Sequence, residues 1–455
     1  MVKIHPFEVE QWMDAYETTP GVLNVSETCA ASISVDKLVL LNRLKTLAPP
    51  PVDFGRVMTY GAIRGSDELR RSIAKTYNDD DNEDDYGQEK KGSSASSVPP
   101  VTADDVIVAQ GAISANYLVL YTLVGPGDHV VCVYPTYQQL YSVPESLGAE
   151  VSLWKLKAED GFVPDVAELE RLIKSNTKMI VINNPNNPTG AIIPRDTLSK
   201  IASIARQHNI ILFSDEVYRP LFHSTSTSTS TSTSTSAPPP PSALALNYDR
   251  TVVTSSMSKA WALAGIRIGW LASRDRSLVA QFAAARDYTT ISVSQVDDQI
   301  AAYALGDDVR PQLLARNLAL ARHNLGLLAA FVEAHADVCE WVRPRAGTTA
   351  FVRFFVGGGG GGGGGNEDGE EEKGEKQKRR PVDDVAFCRG LLEETKVMLV
   401  PGSRCFGNGH QSGSENGGAV TDDFMGYVRF GYVSETEVLE QALPKLSAYV
   451  RKHLA

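Results

Sequence analysis

Ser256-Met257-Ser258-Lys259-Ala260-Trp261-Ala262-Leu263-Ala264-Gly265-Ile266-Arg267-Ile268-Gly269 is the stretch on which the reading of this chain turns. It follows an apolar run, Thr251-Val252-Val253-Thr254, that reads as a strand. Small and hydroxylated neighbours leave room around the Lys259 amine, and Arg267 follows about two helical turns further along the sequence. A lysine that forms a Schiff base needs such a clearing, with a fixed cation nearby for any phosphate on the bound aldehyde. Taken alone, the stretch reads equally well as a surface lysine in a Ser-rich turn. Its surroundings decide.

Upstream of it, apolar runs alternate with helical segments. Val106–Val108, Val130–Tyr134, Val151–Trp154, Met179–Ile182 and Ile210–Phe213 read as strands. Ala112–Val124 (opened by Gly111), Val166–Lys174 and Ile201–Gln207 read as helices. Short continuous apolar runs separated by helices predict an α/β three-layer sandwich with a mostly parallel sheet covered on both faces. Further upstream, residues 6–16 read as an amphipathic helix and Leu23–Thr28 as an extended lead-in, and Ser66 is an N-cap ahead of the acidic first turn Asp67-Glu68. Downstream of residue 307 the grouping changes. A long helix (Pro311–Ala334) precedes strands at Val338–Val342 and Ala350–Phe355, a helix at Asp383–Glu394, strands at Val397–Val400 and Tyr427–Phe430, and a terminal helix from Glu435. This predicts a large domain over residues 46–310 and a smaller α+β domain from 1–45 and 311–455.

Four low-complexity stretches interrupt this order, at residues 78–100, 224–241, 357–380 and 407–423. Acidic, Ser/Thr, Pro and Gly tracts bury too little apolar surface to repay their ordering entropy, so they read as expanded surface loops. Across the 455 residues, 42% are apolar and the formal charge is -11 without a basic stripe, which argues against a nucleic-acid partner. No run is long and apolar enough to span a bilayer, and no signal region follows Met1, so a cytoplasmic protein is expected. The cysteines show no CxxC or framework spacing and read as reduced thiols, and no metal site is expected.

In open parallel sheets ligands bind beyond the carboxyl ends of the strands, so the residues after each run carry the chemistry. After Ile210–Phe213 comes Ser214-Asp215-Glu216-Val217-Tyr218: a buried aspartate there can hold a proton on a pyridine nitrogen, and Tyr218 can reach a phenolic oxygen of the ring. After Met179–Ile182 comes Asn183-Asn184-Pro185-Asn186-Asn187-Pro188-Thr189-Gly190, a fixed non-helical path with Asn187 as an amide donor. Gln110-Gly111-Ala112-Ile113-Ser114 forms a strand-to-helix turn whose free N–H groups suit a phosphate. Tyr137 is placed to stack on a flat ring.

The set Asn187-Pro188-Thr189-Gly190, Asp215 with Tyr218, and Ser256-x-Ser258-Lys259 with Arg267 resembles the class I/II aminotransferases, pyridoxal-phosphate enzymes of fold type I. The likeness is dense over residues 55–310 and thin elsewhere. It implies Lys259 as the Schiff-base lysine, Asp215 as the pyridinium partner, and Asn187 and Tyr218 as donors to the ring oxygen. It implies Tyr137 as the stacking aromatic and Ala112, Ile113, Ser256, Ser258 and Arg267 around the phosphate. Tyr60 matches a tyrosine that reaches the phosphate of a neighbouring subunit, which implies a homodimer. Arg429, in Tyr427-Val428-Arg429-Phe430, matches the arginine that grips the substrate α-carboxylate. At its start the chain departs from the common pattern: Asn24-Val25-Ser26-Glu27-Thr28-Cys29 stands where many members carry a Gly-containing substrate loop. With Thr59-Tyr60-Gly61-Ala62-Ile63-Arg64-Gly65, it is similar to the branch that includes capreomycidine synthase-like cyclases. Glu27 is then a candidate ligand for a cationic substrate side chain.

Each residue singly has a plainer reading. Asp215 can be a cap, Tyr137 and Tyr218 core aromatics, Arg429 a surface charge, Glu27 a salt-bridged surface carboxylate, and Cys405 part of a loop. Their joint occurrence in order favours the cofactor site. The expected activity is amino-group exchange between an L-amino acid and a 2-oxo acid. Elimination, replacement or cyclisation on the same motifs stays open, as does, more remotely, a non-catalytic sensor of this fold.

Overall fold

The structure, a computed structural model, describes residues 4–44, 47, 49–79, 98–223, 238–357, 379–407 and 423–454. Most of each low-complexity stretch lies outside the described residues. In chain order the strands are β1 (Leu23–Asn24), β2 (Val106–Ala109), β3 (His129–Tyr134), β4 (Glu150–Lys155), β5 (Thr177–Asn183), β6 (Ile211–Asp215), β7 (Thr251–Ser256), β8 (Gly269–Ala272), β9 (Cys339–Trp341), β10 (Thr349–Val356), β11 (Arg380–Pro381), β12 (Val397–Met398), β13 (Val400–Pro401) and β14 (Tyr427–Gly431).

A seven-stranded sheet has the order β2-β8-β7-β6-β5-β3-β4. Its strands pair in parallel except around β8, which is antiparallel to both β2 and β7. Every residue of β2, β3, β6 and β7 is buried. Successive residues point to opposite faces and enter different cores. Ile107, Val130, Val181 and Phe213 join Leu118, Val119 and Phe282 on one side. Val106, Val131, Ile180 and Leu212 join Leu69, Ile73, Leu198 and Ile201 on the other. Each such side chain contributes about 1.5–3 kcal/mol by leaving water. This is the three-layer α/β sandwich, with helices on both faces of the sheet.

β8 was not anticipated, because Gly269-Trp270-Leu271-Ala272 is a short apolar run indistinguishable from the end of the preceding segment. A second, antiparallel sheet has the order β11-β10-β14-β13, with β9 beside β10. The N-terminal segment joins its surroundings: β1 pairs in parallel with β12. The run Val397–Val400, expected as one strand, divides at Leu399, whose carbonyl accepts the indole N–H of Trp12 at 2.9 Å. β12 and β13 therefore serve different sheets.

Ser66 caps its helix (Asp67–Asp79), accepting from Leu69 N at 3.1 Å. The loop expected around Cys405 is instead a short helix, Gly402–Phe406. Asp384 organises it by accepting from both Ser403 N and Ser403 Oγ at 2.8 Å. Pro240 and Pro241, assigned from composition to the second insert, are buried, and the Pro240 carbonyl accepts from Arg219 Nη1 at 2.7 Å. Pro240 and Pro241 therefore belong to the folded chain, not to the insert. Among the described residues no helix is long and apolar enough to cross a membrane.

Candidate active site

The carboxyl ends of β5, β6 and β7 and the start of the helix Gly111–Leu123 open on one cavity of about 550 Å³. Ala112, Ile113, Tyr137, Asn187, Asp215, Tyr218, Ser256, Ser258, Lys259, Arg267, Arg429 and Glu27 all line it. Tyr60 does not; it is exposed on the surface of this chain.

One end of the cavity is built for an anion. The first N–H groups of a helix have no intrahelical partner and carry the positive end of its dipole. Arg267 stands over this helix start, where a Cβ on Gly111 (φ +76) would lie 2.6 Å from Arg267 Nη2. A Cβ on Gly269 would lie 2.5 Å from Ala112 N, so glycine at the head of β8 is what lets that strand pass the helix start. Arg267 is not carried on a helix continuing from Lys259. A 3-10 turn, Ala264–Ile266, ends at Arg267 with φ +51, and the guanidinium folds back to donate to Ser258 Oγ at 3.3 Å and Ala264 O at 2.9 Å. Ser256 Oγ accepts from Ser258 N at 3.1 Å, which holds the small turn before Lys259.

Asp215, at the end of β6, is 3% exposed. Its Oδ2 accepts from Asn116 Nδ2 at 2.8 Å and its Oδ1 from Val217 N at 3.1 Å. Burial pushes its carboxyl above the usual range, opposed by those donors and by Lys259. No salt bridge reaches it among the described residues.

On the far wall, Arg429 of β14 is equally buried. Its Nη1 donates to Asn187 Oδ1 at 3.3 Å and its Nη2 to the Ser26 carbonyl at 3.0 Å, and the guanidinium lies over the Phe406 ring at 5.4 Å. Its Nε is buried without a partner. Among the described residues no carboxylate pairs with it, and a buried cation with an unsatisfied donor is costly unless a ligand completes it. Asn187 N donates to Asn183 Oδ1 at 2.7 Å, which fixes the Asn-Pro path.

Residues 25–33 thread between the two sheets. Ala30 N donates to the Lys259 carbonyl at 3.1 Å, and Gly431 N to the Val25 carbonyl at 2.8 Å. This segment brings Glu27, Thr28 and Cys29 to the lysine. Lys259 Nζ is 2.5 Å from Thr28 Oγ1, 3.4 Å from Cys29 Sγ and 3.8 Å from Glu27 Oε1. Burial alone would lower the Lys259 pKa; Cys29, Tyr218 and Glu27 raise it, and the net direction is upward. For Glu27 burial raises, but Lys259 and donors from Cys29 and Thr28 carry it below the usual carboxylate range. Burial, with Glu27 alongside, pushes the Cys29 thiol up to about 11 although Lys259 opposes it, so it is no thiolate at neutral pH. Burial also raises the Tyr218 phenol.

Some of the wall was not foreseen. The helix Glu8–Tyr16 and the turn after it place Glu10, Asp14 and Glu17 along the cavity, and Tyr137 OH donates to Glu10 Oε1 at 2.8 Å. Asn116 and Thr28 also belong to the site. The signal for Asn116 was available: it is an amide in the apolar run Ala115–Val119 of a helix that packs on the sheet. For Thr28 the sequence offered only its place beside Glu27.

The sequence model of the family described as aminotransferase class I and II matches residues 36–409. Capreomycidine synthase of Streptomyces vinaceus is 27% identical over 66% of this chain and 67% of its own length. Aspartate aminotransferase of Thermotoga maritima is 26% identical over 85% of this chain and 82% of its own. Among solved structures, a PLP-dependent aminotransferase from Streptococcus suis superposes with a TM-score of 0.77 at 32% identity, over 99% of each chain. The donor set fits pyridoxal phosphate: an anion cup, a buried carboxylate with no cation paired to it among the described residues, and a lysine lining the same cavity. The chain belongs to the class I and II aminotransferase family and is a pyridoxal-phosphate-dependent transferase of fold type I.

Proposed function

We propose that the protein transfers the amino group of an L-amino acid with a basic side chain to a 2-oxo acid. The observation that carries the exchange is Arg429, a buried guanidinium with an unpartnered Nε that lines the same cavity as Lys259. Its steered donors suit the α-carboxylate common to amino and 2-oxo acids. The basic side chain is supported by the carboxylates of Glu10, Asp14, Glu17 and Glu27 along one side of the cavity. An arginine–pyruvate transaminase of Pseudomonas aeruginosa, 31% identical over 47% of each chain, points the same way.

Bound pyridoxal phosphate supplies an aldehyde carbon for the substrate amine and a ring that accepts electrons. The chain supplies the rest. Ala112, Ile113, Ser256, Ser258 and Arg267 would hold the phosphate, and Tyr137 would stack on the ring. Asn187 and Tyr218 would donate to the ring oxygen, and Asp215 would keep a proton on the ring nitrogen. Arg429 orients the substrate so that its Cα–H faces Lys259. Lys259 Nζ would take that proton as general base and, as its conjugate acid, deliver it to the carbon that the aldehyde supplied, leaving Cα at the oxidation level of the 2-oxo acid. The glutamate beside it keeps the ammonium form in reach. Tyr60 of a second copy completes the phosphate site in a homodimer. Residues 46–310 form the cofactor domain, and residues 1–45 with 311–455 the domain that carries Arg429.

A second reading is cyclisation or elimination on a basic amino acid, supported by the likeness to capreomycidine synthase. The two separate on co-substrate. Transamination requires a 2-oxo acid and converts it to its amino acid in equal amount; turnover without one would establish the second reading.

A further inference from the structure

Asn116 projects from the helix Gly111–Leu123 toward the sheet, 1% exposed, and every bond it makes has a fixed direction. An ionised carboxylate only accepts, so the Asn116 amide must turn Nδ2 to Asp215 Oδ2, at 2.8 Å. That leaves Asn116 Oδ1 to Thr254, whose hydroxyl donates to it at 2.6 Å. Thr254 sits on β7 directly opposite Asp215 in the parallel register. The second Nδ2 hydrogen goes to Gln139 Oε1 at 3.3 Å, and Gln139 Nε2 donates to the Ile113 carbonyl at 2.7 Å. All four side chains in this relay are buried.

The relay has one anion in it. Among the described residues no cationic side chain is in contact with Asp215, which is buried, so the two donors on its oxygens decide whether it stays charged and which way its plane faces. We propose that Asn116, oriented by Thr254, is a positioning residue that holds Asp215 ionised and turned toward the ring nitrogen of the cofactor. The inference rests on Asp215 facing that nitrogen, as in the function proposed above. Asn116 spends its hydrogen bonds on Asp215, Thr254 and Gln139 and acts through Asp215. Thr254 acts one step further back, by locking the amide so that its carbonyl cannot turn toward the carboxylate.

The test measures the affinity of the purified apoenzyme for pyridoxal phosphate and for an analogue with C–H in place of the ring nitrogen. Wild type, Asn116→Leu, Thr254→Val and the double variant are compared. A hydrogen bond to a charged group is the interaction removed, so Asn116→Leu should lose roughly tenfold to a hundredfold in affinity for pyridoxal phosphate. With the analogue, which gives Asp215 no proton to hold, wild type and variant should agree within about twofold. Thr254→Val should lose less, and nothing further in the double variant, because both changes act on one chain of bonds. Equal losses with both ligands would make Asn116 a general packing residue and overturn the inference, as would no loss with either. If Asn116→Leu does not fold, the near-isosteric Thr254→Val carries the same comparison: a loss confined to pyridoxal phosphate supports the inference, and any other pattern overturns it. Wild-type binding of pyridoxal phosphate is the separate control: its absence would overturn the cofactor site itself.

Discussion

Glu27 Oε1 lies 3.8 Å from Lys259 Nζ and is held there by the backbone N–H groups of Thr28, at 2.6 Å, and Cys29, at 2.9 Å. The carboxylate is thus tied to its own turn while facing the lysine, a position from which it meets any substrate that approaches Lys259. Glu27→Gln keeps the size and removes the charge. The expected result is a selective fall in kcat/KM for a basic amino acid, with a neutral one little changed. A desolvated pair would be worth about 2–5 kcal/mol. The Glu27 side chain is 42% exposed, and solvent screening brings the expected loss to about 1–2 kcal/mol. Equal effects on both substrates would discard the role.

Arg429→Lys tests the carboxylate grip. Lysine keeps the charge but loses the planar fork and the two steering bonds to Asn187 and Ser26. The loss in kcat/KM should be about 1.5–3 kcal/mol for every amino acid tested, whatever its side chain. A loss that depends on the side chain would place Arg429 elsewhere in recognition.

Gly269→Ala probes the anion cup without removing a polar group. The new Cβ would stand 2.3 Å from Gly111 C and 2.5 Å from Ala112 N, so the helix start must move. Overpacking of this kind costs about 1–3 kcal/mol. Thermal unfolding of the apoenzyme and phosphate-dependent cofactor affinity should fall together; unchanged cofactor affinity would detach the helix start from the phosphate.

Asp215 gives a pH signature. Burial raises its folded pKa, so the folded apoenzyme binds the proton more tightly than the unfolded chain. Its contribution to stability is therefore present below the unfolded pKa and is lost as pH rises through the raised folded value. The difference in unfolding free energy between wild-type and Asp215→Asn apoenzyme should drift against the wild type over that window. A flat difference would show that burial does not perturb Asp215.

How far the site was legible follows from the geometry of parallel sheets. Asp215, Asn187 and Ser256 stand at strand ends, where a continuous apolar run stops and a ligand crevice begins, so a one-dimensional reading finds them. Asn116 stands mid-helix, and its meaning depends on β6 and β7 lying beneath it. Arg267 was expected near Lys259 by helical spacing; a 3-10 turn and a positive φ bring it there instead. The acidic wall of Glu10, Asp14 and Glu17 comes from a helix some 240 residues before Lys259 in sequence, a pairing no local pattern encodes. Composition overran at Pro240 and Pro241, because a proline run reads as solvated until a partner such as Arg219 takes its carbonyl.

That boundary makes its own prediction. Excising residues 224–237, a Ser/Thr tract by sequence, and joining the ends with a short linker should leave activity within about twofold. Extending the excision through Pro241 strips the buried Arg219 of the Pro240 carbonyl and should destabilise the protein by about 1–3 kcal/mol. Equal stability of the two deletions would show that the buried prolines contribute nothing.

The most direct test of the account is where the cofactor attaches. The holoenzyme is reduced with borohydride, digested, and the pyridoxyl-bearing peptide identified by mass spectrometry. The account predicts a single labelled peptide containing Lys259, and no labelling in Lys259→Ala. Label on any other lysine, or unchanged labelling of the variant, would contradict it.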